Sequence, residues 1–211
     1  KKVLSLSLAL AMTLSLCACA GAGSQSSSSS AGSTPAGSGS ASGDSSFKVA
    51  VVKQMDHPSL DEICNAVVAR LDEIAQETGT TIEYEVYSGQ GDETVLNQIG
   101  AQVIADGVDA IIPIATTAAQ LMTVAAEETK TPVVYAAVSD PAQADLLDID
   151  YVTGTCDALN TSFILDMMLA QNPDTQKVGL LYSLSEPNSA TPIAEAKEYL
   201  DDKGILYEEF T

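Results

Sequence analysis

The 211-residue chain contains no tryptophan, one histidine, and only 9 lysines and arginines against 29 aspartates and glutamates. Such an acidic balance excludes the electrostatic footprint of a nucleic-acid binder or of a protein that adheres to anionic lipid. A single histidine, with Cys64 and Cys156 far apart and neither in metal-ligand spacing, argues against a zinc site, and the cysteines are too few for a disulfide scaffold. Nothing in the composition calls for a cofactor. The first apolar run, Val3 to Leu16 in KKVLSLSLALAMTLSLCACAGAGS, is 14 residues long. A spanning helix needs about 20.

Two lysines, a short apolar middle and a small-residue exit instead describe a secretory signal over residues 1–19. Leu16-Cys17-Ala18-Cys19 is similar to the lipobox of bacterial lipoproteins, with a small residue before the cysteine to be acylated, which selects Cys19. Residues 20–46 are nearly all serine, glycine and alanine with Asp44 the one charge, so they cannot bury enough apolar area to offset ordering. A flexible tether of this length spans about 25–30 Å. An acylated Cys19 followed by such a tether would hold a globule just off the outer face of a cytoplasmic membrane.

Removing Asp44, Lys1 and Lys2 from the totals leaves 28 acidic and 7 basic residues from Phe47 onward. That segment alternates strand and helix patterns. FKVAVVK reads as a strand; Ser59 with Glu62 forms a capping box for an amphipathic helix ended by Gly79; TTIEYEVYS is a second strand. Asp92 caps a helix carrying Val95, Leu96, Ile99 and Val103, VDAIIPIA is a third strand, and Thr117 with Gln120 forms a second capping box. PVVYAAV and DYVTGT complete five strands. The alternation predicts a doubly wound α/β lobe over residues 47–155, and Cys64 falls on the apolar face of its first helix, as a packed thiol. A second lobe of the same kind starts at 156–211, with strand KVGLLYS and a helix opened by Thr191-Pro192. ILYEEFT ends inside a strand pattern, so the second lobe reads as truncated and the chain as a fragment.

In doubly wound sheets ligands bind beyond the carboxyl ends of the strands. The candidate site is therefore made of His57-Pro58, the turn from Ser88 to Asp92, Thr116-Thr117 and Ser139-Asp140-Pro141. A hydrolase would need His57 beside Ser139 or Ser189 with Asp140 behind it, or Asp56 and Asp140 as paired acids. No nucleophile elbow, P-loop or complete dinucleotide fingerprint occurs. Binding fits better: helix starts near Thr116-Thr117 and Ser189 attract a carboxylate, Asp140 suits an ammonium, and a zwitterion satisfies both.

The segments DHPSLDEI (56–63), GQGDETVLNQI (89–99), VDAIIPIATTAAQ (108–120), PVVYAAVSDPAQADL (132–146), VTGT (152–155) and KVGLLYSLSEPNSA (177–190), in that order, resemble substrate-binding lipoproteins of ABC importers. The resemblance is to the type I periplasmic-binding fold, two doubly wound lobes, and to the branch whose characterised members bind aromatic amino acids. It implies ligand-binding roles for His57, Gln90, Thr116, Thr117, Ser139 and Asp140 in lobe one and for Glu186, Asn188 and Ser189 in lobe two. It further implies a monomer that captures a small solute outside the cytoplasm and hands it to an ABC permease, with no catalytic residue. A sugar binder of the same fold and a ligand-binding sensor domain are the alternatives.

Overall fold

The computed structural model describes residues 46–211; the secretory signal, Cys19 and the tether expected from the sequence lie outside the described residues. Five strands form one wholly parallel sheet: β1 (Ser46–Lys53), β2 (Thr81–Ser88), β3 (Ala110–Ile114), β4 (Val133–Val138) and β5 (Val152–Cys156), in the order β2-β1-β3-β4-β5. The helices between them are α1 (Pro58–Thr78), α2 (Glu93–Ala105) and α3 (Thr116–Ala125). A second parallel pair, β6 (Lys177–Leu181) and β7 (Leu206–Phe210), packs with α4 (Thr161–Gln171) and α5 (Ala190–Asp202). Both sheets belong to one compact unit. This is the two-lobed architecture of type I periplasmic-binding proteins.

The apolar run at the centre of β1 is continuous because both faces of the strand are covered. Val51 packs with Cys64 and Ile114 under α1, whereas Ala50 and Val52 pack with Leu96, Val103, Ile111, Ala118 and Met122 under α2 and α3. Period-two alternation therefore sorts a single run into two cores. Burial pushes the Cys64 thiol up from its ordinary value, which suits a packed, unreactive cysteine. Close approach between α2 and α3 depends on Gly100, since a Cβ there would meet the Ala125 Cβ at 2.8 Å. Lobe two has a smaller core of Leu165, Val178, Leu180, Ala196 and Leu200.

Helix starts differ from the sequence reading in an instructive way. The start of α1 is capped by His57, whose Nδ1 accepts the Ser59 N–H at 3.3 Å, with Pro58 at the first helical position. The Ser59–Glu62 box is thus displaced by an imidazole two residues upstream. At α3 the cap position is Ala115, two residues before Thr117, with no side-chain cap, so Thr117 is carried into the buried interior and Gln120 donates to the Ala144 carbonyl instead. Lobe two inserts a 3₁₀ turn, Pro187–Ser189, before α5, which starts at Ala190 rather than Thr191. Asp92, as expected, caps α2 by accepting from the Thr94 and Val95 N–H groups, and Gly79 ends α1 in the left-handed region at φ 69°.

Ile111→Ala, at a fully buried position between the sheet and α2/α3, should lower unfolding free energy by about 2–5 kcal/mol in urea titration. Leu181→Ala, 82% exposed on β6, should stay within about 0.5 kcal/mol of wild type in the same experiment.

Candidate functional site

The strand order reverses between β1 and β3, and a cleft of about 460 Å³ opens at the carboxyl ends of the strands there. Its lobe-one wall comes from the residues after β1 (Gln54, Met55, His57), the ends of β3 and β4 (Ala115, Thr116, Ala137, Ser139) and Asp157 after β5. Leu60 and Ile63 from the first turns of α1 make it apolar on one side. Across it stand Glu186, Asn188 and Ser189 of lobe two.

Six of the nine residues singled out from the sequence line this cleft: His57, Thr116, Ser139, Glu186, Asn188 and Ser189. Three are placed elsewhere. Gln90 follows β2, which lies on the far side of β1 from the reversal point, and it occupies the left-handed region at φ 56° in a tight turn. Thr117 is buried within α3. Asp140 is absent from the cleft lining and is engaged by other donors: one carboxylate oxygen accepts the Gln143 N–H at 3.0 Å and the other the Thr191 hydroxyl of lobe two at 2.7 Å. These two donors hold its carboxyl below the usual aspartate range. Asp140 therefore joins the lobes. Asp56 likewise is not half of an acid pair, because Lys53 Nζ donates to it at 2.8 Å and also binds Asp61. With Asp140 committed to lobe two and the His57 Nδ1 committed to Ser59, no carboxylate orients the imidazole as a triad requires.

Two features of the cleft were not legible from residue types. Ala115 has φ 79° and ψ 163°, a region otherwise reserved for glycine, and Ala137 has φ 55° at a register shift between β4 and β5. Strained backbone thus sits at both strand ends that face the cleft. The first intrahelical donor of α3 is Ala119, to the Ala115 carbonyl at 3.0 Å, so the helix start, which reaches the cleft lining at Ala115 and Thr116, has no side-chain cap. The second feature is Gln54, buried at the end of β1, whose Nε2 donates to both Glu186 oxygens at 3.4 and 3.3 Å. Acidic groups dominate the charge: Glu186 and Asp157 line the cleft, the latter accepting the Ser139 hydroxyl at 3.0 Å, and no lysine or arginine is among the lining residues. The site offers partial positive charge from a helix start and full negative charge from carboxylates.

Residues 48–211 match the family model described as ABC transporter substrate binding protein. The chain belongs to that family. Among curated proteins it is 27% identical over 156 residues to the tyrosine-binding protein of Clostridioides difficile (strain R20291), covering 72% of this chain and 45% of that one. Among solved structures it is similar to an ABC domain from Streptococcus pneumoniae in complex with L-Trp, at 31% identity and TM-score 0.71, covering 79% of this chain and 57% of that one. It is also similar to a ligand-free, open substrate-binding protein with adhesive properties from Clostridium difficile, at 27% identity and TM-score 0.58, covering 78% and 57%. The chain spans about half the length of the relatives it matches. The family is one of solute-binding proteins, which removes the hydrolase alternative at the level of family.

The Asp140 carboxylate, held by the Gln143 N–H and the Thr191 hydroxyl, carries a pH dependence of known sign. Because the folded carboxyl titrates below its unfolded counterpart, its stabilisation is present above the ordinary aspartate pKa of about 3.9 and is lost as pH falls through the lower folded value. Asp140→Asn should therefore flatten the acid limb of a stability-versus-pH curve below pH about 4 and leave its slope near neutrality unchanged. An unchanged acid limb would exclude these hydrogen bonds to Asp140 as stabilising.

Proposed function

We propose that the protein is the extracytoplasmic solute-binding component of an ABC importer, that it captures an aromatic amino acid between its lobes, and that it delivers this solute to a membrane permease. The observation that carries the reading is the polarity of the cleft. An uncapped helix start in lobe one faces a pair of carboxylates, and Met55, Leu60 and Ile63 supply an apolar side between them. A carboxylate is attracted to the first, an ammonium to the second, and a ring to the third. A volume of about 460 Å³ suits a solute of this size. The described tyrosine-binding relative and the L-Trp complex support an aromatic side chain.

Glu186, Asn188, Ser189, Thr116, Ser139 and His57 are the proposed contacts, with Asp140 reassigned to joining the lobes. Closure of one lobe on the other presents a bound shape to the permease, and solute drives it only through contacts better made in the closed form. No helix among the described residues is long and apolar enough to cross a membrane. Acylation at Cys19, in its lipobox-like context, is the proposed anchor, at the outer face of the cytoplasmic membrane, with residues 20–46 as the tether.

Titration of the protein of natural length with L-tyrosine, L-tryptophan, L-phenylalanine, L-leucine and glucose, read by thermal unfolding, tests the solute. An aromatic amino acid at a hundred times its Kd should add about 2.7 kcal/mol of stability. A response to glucose alone would favour the sugar-binding alternative. Cys19→Ala in the unprocessed protein should move it from the membrane fraction to the soluble extracytoplasmic fraction; retention in the membrane would exclude the anchor.

A further inference from the structure

Gln54 was not selected by any motif, yet its surroundings set it apart from the rest of the cleft. Its backbone is held on both sides: the N–H donates to the Ile114 carbonyl at 3.2 Å, and its carbonyl accepts the Gly91 N–H at 2.9 Å. The Cα is thereby pinned between the end of β3 and the turn after β2, and the buried side chain lines the cleft. Its Nε2 is shared between both oxygens of Glu186 at 3.4 and 3.3 Å, longer than the usual 2.7–3.2 Å for such a bond. The carboxamide oxygen accepts no hydrogen bond from the described residues, although a glutamine oxygen has two lone pairs. Asp157, the other acid of the cleft, already has the Ser139 hydroxyl on one oxygen.

We propose that Gln54 and Glu186 together form the ammonium-recognising subsite, in which Glu186 supplies the charge, the Gln54 amide N–H fixes its carboxylate, and the Gln54 oxygen supplies a second acceptor. The assignment rests on the reading of the cleft as an amino-acid site. An ammonium has three donors, so a lone carboxylate leaves it underused, and the two acceptors span the lobes such that only a closed cleft presents both. A solute lacking the amino group leaves a half-buried carboxylate and an amide oxygen without a protein donor facing an apolar replacement. That penalty is the source of selectivity.

The test compares L-phenylalanine with 3-phenylpropionate, which differs by the ammonium alone, by calorimetry on the protein of natural length. In Gln54→Met, of similar shape, affinity for L-phenylalanine should fall at least about tenfold while that for 3-phenylpropionate, titrated at millimolar concentration, stays within about twofold. Glu186→Gln should lose the same preference for the amine more completely. Unchanged selectivity in Gln54→Met, or equal loss for both ligands with an unshifted melting temperature, would overturn the assignment and leave the functional reading standing. Failure of wild type to bind any aromatic amino acid would overturn the functional reading and the subsite with it.

Discussion

Burial of β1 on both faces is the constraint on which the rest of the molecule depends. The centre of β1 has Val51 under α1 and Ala50 and Val52 under α2 and α3, and β2 and β3 pair on either side of it. Parallel pairing requires a crossover between successive strands, made by α1, α2 and α3 up to β4 and by a helix-free segment from β4 to β5, and it brings every strand's carboxyl end to the same end of the sheet. The point where the chain goes to one side of β1 and then to the other leaves a gap between the loops that follow. The cleft occupies that gap, and Gln54, directly after β1, lines it.

Much of this was legible in the sequence because apolar periodicity is a local record of a global environment. The seven strands, the Asp92 cap, the Gly79 stop and the packing of Cys64 all follow from patterns within a few residues. What escaped is non-local. Ser59 and Glu62 have the spacing of a capping box, but His57 with Pro58 starts the helix sooner, and propensity rules cannot rank the two. Thr117 and Asp140 have the right chemistry for a ligand; one is buried by a helix that begins two residues early, the other is engaged by a hydroxyl 51 residues away. Gln90 was reached by counting loops after strands, which ignores that β2 is one strand removed from the reversal. Gln54 carried no sequence signal because its meaning depends on Glu186, which lies in the other lobe.

The two interlobe contacts divide structural and recognition duties. Thr191 and Asp140 meet outside the cleft lining through a neutral donor and a carboxylate, while Gln54 meets Glu186 within it. An acidic protein that recognises a cationic group with its own carboxylates must keep those carboxylates from being neutralised internally. The lysines comply: Lys53 is occupied by Asp56 and Asp61, and Lys197 and Lys177 by Glu209 and Glu208. Under the proposed function, the absence of lysine and arginine from the cleft lining is in this sense part of the recognition chemistry.

Ala115 narrows the routes along which such a protein can drift. At φ 79° and ψ 163° its backbone admits a hydrogen or, with strain, a methyl group. Every larger residue adds cost at a position that also begins α3 and faces the cleft, so two codon families exhaust the accessible alleles. A lineage that needs a wider pocket cannot enlarge it by substitution here and must vary the Glu186–Ser189 segment, where side chains change without refolding the start of α3. Diversification of solute preference among descendants of this chain is thereby channelled to the opposite wall.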